Sequence, residues 1–288
     1  MQKNETMKNA SHKKQRLISS AMVHSILIFG AISFIFPLVW MLSTSLKSTD
    51  DLAKPKPTLV PSKFVWSNYS KATTAIPFWK YAKNTLIVCI LTVIGTLVSS
   101  TLVAYGFSRI QWKGRDVVFY CVLATMMIPF PVIMAPLFVI FGKLGWIGSL
   151  KPLWIPSFGA AAFNIFLMRQ FFRTIPTELT EAARIDGCSE LGILVRIVLP
   201  LSKPVMLVVA LFQFIASWND FLGPLVYLTR ENLYTLALGL EFFQNQHGGT
   251  QWNYIMAASS LIVLPVIIIY FFTQKAFIEG ISLTGLKG

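Results

Sequence analysis

Six stretches of this chain run without a single Asp, Glu, Lys or Arg: residues 17–46, 84–108, 117–142, 152–168, 204–219 and 242–274. Elsewhere no uncharged stretch exceeds nine residues. A charge at the bilayer centre costs about 2.5 to 3.5 kcal/mol on insertion scales, and a crossing helix needs about 20 apolar residues, with a lower bound near 17. Windows of 30, 25, 26 and 33 residues meet that requirement outright. The 17-residue and 16-residue windows meet it by extending past one charge each, Arg169 in the fourth and Asp220 in the fifth. The pattern predicts an all-α polytopic membrane protein with six transmembrane helices.

Composition agrees. Charged residues are 13% of the 288 and hydrophobic ones 55%, whereas a soluble domain carries about 25% charged residues. The formal net charge of +13 would point to nucleic acid in a soluble protein. Here the basic residues flank apolar runs instead of forming a face, so they read as cytoplasmic tethers in contact with membrane lipid, with no nucleic acid as partner. Cys89, Cys121 and Cys188 are isolated, which gives neither a disulfide framework nor a zinc site. No metal site is expected.

The first window follows Lys3, Lys8, Lys13, Lys14 and Arg16, as a secretory signal would. A signal core is about 7 to 15 residues long, however, and this run of 30 includes Pro37 and Trp40. It reads as a retained span, giving a basic cytoplasmic N-terminus at 1–16 and one transmembrane domain at 17–288. Six spans put both termini on one side. The segments then placed inside hold 15 Lys and Arg and those placed outside hold 10, which favours cytoplasmic termini. Seven lysines in the first outside loop, 47–83, oppose this assignment.

A solute carrier needs an energy source. No G-x-x-x-x-G-K-[ST] phosphate loop is present, so the chain is not expected to be an enzyme, nor to bind a cofactor. His12, His24 and His247 are too scattered for a membrane metalloprotease. Ion-coupled transport relies on intramembrane carboxylates, and Asp220 is the one residue that qualifies. A self-contained ion-coupled secondary transporter is the alternative reading.

The segment between the fourth and fifth windows, 172–203, has its own local chemistry. Pro176 and Thr177 start a helix, Glu178 suits its positive N-terminus, Arg184 sits in its last turn, and Gly187 fits the left-handed position that ends it. Ser189 can cap a second helix whose Leu191, Leu194, Val195 and Val198 share a face. Ala182 and Ala183 beside Glu181 form a small-residue surface that permits close approach. An amphipathic helix lying on the membrane is the simpler reading of the same residues.

Glu181, Ala182, Ala183, Gly187, Ile197, Leu199 and Pro200 match every fixed position of E-A-A-x3-G-x9-I-x-L-P, so the segment resembles the signature of permease subunits of bacterial ATP-binding cassette importers. At background residue frequencies such a match arises in roughly one window in a hundred million. Trp218-Asn219-Asp220-Phe221 and the terminal Gly280–Gly288 look like the carbohydrate branch, specifically the smaller permease of maltose-type systems. The resemblance implies a sugar-importer subunit in the bacterial cytoplasmic (inner) membrane, paired with a second homologous permease. It also implies two ATP-binding cassette ATPase subunits that bind ATP and Mg, and an extracytoplasmic solute-binding protein. Glu181, Ala182, Ala183 and Gly187 would couple to the ATPase, and the outside segment 228–253 would meet the solute-binding protein.

Sugars are held by hydrogen bonds and by contact with ring faces. Gln213, Ser217 and Asp220 fall on one helical face, with Trp218, Asn219 and several phenylalanines beside them, and Asn164 is a further amide in an apolar window. These residues are the candidate solute path; bonding between helices would use the same residues. Pro129, Pro131 and Pro136 bend or break the third span, as a gate or as a plain kink.

Overall fold

The computed structural model describes the backbone at 2–245 and 251–285 and the side chains at 19–241 and 251–274. Every regular element among the described residues is helical. The chain divides into two compact units, residues 1–72 with 251–260, and 73–250 with 261–288.

In the first unit, helix α1 (Gln2–Ser45) contains an apolar span of 27 residues, Ser19–Ser45. Its Phe29 and Phe34 are 75% and 87% exposed, an arrangement stable only against lipid or another apolar surface. Beyond Ser45 the backbone would carry orphaned carbonyls, and Asn68 answers two of them: its Nδ2 donates to the carbonyls of Ser45 and Lys47, each at 2.9 Å. The loop that follows is internally latched. Lys47 donates to the Thr58 carbonyl and lies 4.6 Å from the Trp40 ring centroid. Asp51 accepts from the Ser62 amide at 3.0 Å, from its hydroxyl at 2.7 Å and from Lys54 at 2.6 Å. Those bonds, Lys54 foremost and then Ser62, hold the Asp51 carboxyl at a pKa of about 2. Two of the seven lysines in this loop thus serve its own structure, a use that a count of charges per loop does not register.

In the second unit, α2 (Phe78–Ser108) is the central helix. Its buried stripe of Thr85, Cys89, Thr92, Thr96, Ser100 and Ala104 repeats at helical spacing, and small residues allow neighbouring helices to come close. A Cβ at Gly95 would collide with the Ser157 hydroxyl and the Phe158 ring. Against α2 pack α5 (Ala162–Phe172) and α8 (Lys203–Trp218). Ile165, Met168 and Phe172 of α5 and Val205 and Val209 of α8 join Ala104, Tyr105 and Phe107 in one core.

Three windows depart from straight spans. In the third, α3 (Arg115–Ala124) and a 3-10 turn end at Ile128, and α4 (Phe130–Lys143) leaves at 97°. Ile128 is extended (φ −84°, ψ 113°) because the ring of Pro129 disfavours helix in the residue before it. The bend expected from the prolines is therefore a break, while Pro136 sits inside α4. The fourth window consists of a turn of helix at Lys151–Trp154, a 3-10 stretch Ile155–Gly159 and a step at Ala160, whose φ is 58°. Only then does α5 start, and its 11 residues rise about 16 Å, half the hydrocarbon thickness of about 30 Å. In the fifth, the helical run Glu190–Leu201 meets α8 at 82°. The described residues thus hold three helices long and apolar enough to cross a membrane, or five if each bent pair is one span, and the fourth window is not a continuous sixth.

Candidate functional site

Between α5 and α8 the chain turns through α6 (Thr177–Ile185) and α7 (Glu190–Leu201). The local signals act as their chemistry dictates. Gly187 has φ 76°, the left-handed conformation that a Cβ disfavours. Its N–H donates to the Arg184 carbonyl at 3.0 Å and that of Cys188 to the Ala183 carbonyl at 2.9 Å, which closes the end of α6. Ser189 caps α7, its hydroxyl accepting from the Gly192 N–H at 3.2 Å.

Glu181 and Ala182 are exposed, Ala183 is half-buried against the core, and Gly187 is exposed with open space around it. Ile185, an apolar side chain that gains nothing from water, is 86% exposed beside them. The expected stripe on α7 divides: Leu194 and Val198 enter the core, while Leu191 and Val195 remain 63% and 52% exposed. Residues Leu194–Val198 form a π turn, which inserts an extra residue and rotates the register of the face.

The residues that tie this segment down lie far from it in sequence. Arg184 grips Glu190 through Nε at 2.6 Å and Nη2 at 3.2 Å, which pushes the pKa of the guanidinium up. The Tyr105 hydroxyl donates to Oε2 of the same carboxylate at 2.5 Å, the oxygen that Arg184 Nη2 also reaches. Arg109, one turn further along the same face and just past the end of α2, is buried and donates through Nη2 to the carbonyls of Phe172 and Ile175. Arg169 donates from Nε to the Phe107 carbonyl at 3.1 Å, pairs with Asp116 at 3.0 Å, and lies 4.0 Å from the Phe119 ring centroid. The sequence offered one signal for these: Arg109 and Arg169 are the charges that close the second and fourth uncharged windows.

Most of the candidate solute-path residues find hydrogen-bond partners within their own unit. Gln213 donates to the Ser217 hydroxyl at 3.1 Å, and that hydroxyl meets Thr92 of α2 at 2.8 Å. Trp218 is buried, stacks on Phe214 and donates to the Ile262 carbonyl at 3.2 Å. Asn219 is exposed and bonds back to Ile215 in the preceding turn. Asp220 accepts the Gly223 N–H at 3.0 Å, two residues ahead of a short helix, Leu222–Tyr227. Asn164 is buried in α5. Bonding within the bundle therefore occupies Gln213, Ser217, Trp218 and Asp220. Residues 246–250, within the expected outer contact segment, lie outside the described residues, as do the side chains of the terminal glycine-rich motif.

The second unit thus combines bent, apolar helices with an exposed helix pair that meets at a left-handed glycine. The chain matches the model of the binding-protein-dependent transport system inner membrane component over residues 95–282, and it belongs to that family of membrane transport components. It is 34% identical over 265 residues to the arabinooligosaccharides transport system permease AraQ of Halalkalibacterium halodurans, covering 90% of this chain and 94% of that one. It is likewise 34% identical to the trehalose/maltose transport system permease MalG of Thermococcus litoralis, covering 91% and 96%. Identity to the sn-glycerol-3-phosphate transport system permease UgpE of Pectobacterium atrosepticum is 32%, covering 90% and 94%. Among solved structures, a chain of a bacterial ABC transporter that imports the acidic polysaccharide alginate superposes with a TM-score of 0.80 at 27% identity, covering 88% and 95%.

Proposed function

We propose that this chain is one of two homologous permeases of an ATP-driven importer for an oligosaccharide or related sugar, and that α6 with the start of α7 is its coupling element to a cytoplasmic ATPase. Both termini are cytoplasmic in this reading. Six crossings follow from it if the helices of the fourth window, although interrupted, complete one span. ATP and Mg bind in the partner ATPases, and an extracytoplasmic binding protein delivers the solute to the outer face. The sugar assignment draws on relatives that carry arabinooligosaccharides and trehalose or maltose.

One observation carries the coupling role. Glu181, Ala182 and the 86%-exposed Ile185 project on a short helix whose end is fixed by Gly187 at φ 76°. An apolar side chain flanked by small residues and a carboxylate suits a cleft in another protein, where close packing and one charged contact supply specificity. The ion-coupled alternative loses support because Asp220, its one candidate carboxylate, is engaged by the Gly223 N–H.

Co-purification from membranes tests this reading. The tagged chain should bring a second permease and ATPase subunits into one detergent-stable complex that hydrolyses ATP. Recovery of the chain alone, active in transport without nucleotide, would refute it.

A further inference from the structure

The coupling element is joined to the long central helix by a clasp with two points of attachment. At one, Arg109 takes the carbonyls of Phe172 and Ile175, where α5 gives way to α6. At the other, Tyr105 meets Glu190, where α6 has given way to α7, and Arg184 at the end of α6 holds the same carboxylate by two bonds. Arg184 Nη2 also approaches the Arg109 carbonyl at 3.5 Å. Tyr105 and Arg109 are four residues apart, so they share one face of the helix. Tyr105 and Arg109 are 4% and 7% exposed, and Arg109 Nε is buried without an acceptor among the described residues. Keeping a buried N–H unsatisfied is costly, which implies that the guanidinium is held where it is by its other bonds.

We infer that Tyr105, through its bond to Glu190, is the positioning residue that passes displacement of the coupling element to α2. This rests on the proposed coupling role of α6. Apolar packing of Ile193, Leu194 and Val198 can slide, because dispersion contacts have no preferred direction. A charge-assisted hydrogen bond is short and directional and resists both separation and rotation. With Arg109 holding the other side, α6 cannot tilt or shift along its axis without carrying the end of α2. The motion is then delivered to α8, since α2 meets that helix at Thr92 and Ser217. Tyr105 touches neither solute nor nucleotide in this account; it acts through the coupling element.

The test uses the complete complex in proteoliposomes, with the binding protein and its sugar, and reads solute imported per ATP hydrolysed. Tyr105→Phe removes a single oxygen and leaves the Arg184 to Glu190 pair intact. Glu190→Gln keeps the size of the side chain while removing its charge. Both variants should assemble with the ATPases at the wild-type level and hydrolyse ATP, with solute moved per ATP lowered about tenfold, the weight of one hydrogen bond to a charged group. An unchanged ratio in both variants would overturn the inference. So would loss of ATPase association in Tyr105→Phe, because the bond would then be a folding contact. Failure of the wild-type complex to couple ATP hydrolysis to uptake would instead strike the proposed function itself.

Discussion

Thr92 and Ser217 meet hydroxyl to hydroxyl at 2.8 Å, joining the central helix α2 to α8. Each hydroxyl also has a second partner: Thr92 donates to the Cys89 carbonyl at 3.0 Å, and Ser217 accepts from Gln213. Because both hydroxyls have local alternatives, the bond between the helices is worth less than a sole partnership would be. A double-mutant cycle with Thr92→Ala and Ser217→Ala should return a coupling of about 0.6 kcal/mol, the average for such bonds in membrane bundles, read from denaturant unfolding in detergent. A Ser217→Ala variant whose stability is unchanged but whose apparent KM for sugar rises severalfold would instead assign Ser217 to solute contact.

Gly187→Val should leave the chain inserted and abolish uptake. Open space surrounds the position, so the substitution is penalised by the backbone conformation and not by collision, at about 1 kcal/mol or more. Relief of that strain changes the angle between α6 and α7. Membrane insertion assayed by fractionation and uptake by radiolabelled sugar separate the two effects; normal uptake would remove the coupling role from this glycine.

Gly95→Leu should destabilise the second unit by about 1 to 3 kcal/mol, as overpacking does, because the new side chain meets Ser157 and Phe158. Thermal unfolding of the purified chain reads this. Gly142→Ala, where nothing lies within 4 Å of the added carbon, is the matched control and should show no such loss.

The loop after α1 should loosen in acid. The Asp51 carboxyl has a pKa of about 2 through Lys54 and Ser62, below the ordinary value of about 3.9. A depressed carboxylate contributes stability in full above its unfolded pKa and loses it as pH falls through the folded one. Hydrogen exchange at residues 48–62 should therefore be independent of pH between about 5 and 7 after correction for intrinsic rates, and protection should fall between about pH 4 and pH 2. Asp51→Asn should flatten that response.

Local chemistry was legible along the chain and long-range partnership was not. Gly187 and Ser189 could be assigned from their neighbours because helix ends are set by residues within one turn. Pro129 could be expected to disturb the third span for the same reason. The interruption of the fourth window was not legible, because absence of charge says nothing of backbone continuity: the 3-10 stretch Ile155–Gly159 and the step at Ala160 divide it. Tyr105 and Glu190 stand 85 residues apart, and no periodicity connects them. Gln213 and Ser217 were legible as one face, but whether that face meets solute or Thr92 depends on where α2 packs.

Uptake by sealed proteoliposomes, with ATP enclosed on the ATPase side and no ion gradient, tests the account most directly. Wild-type complex with binding protein and sugar should import solute only when ATP is present, and Glu181→Lys should abolish that import while the chain remains in the membrane. Uptake by the chain alone, driven by an ion gradient and indifferent to ATP and to Glu181→Lys, would contradict the account.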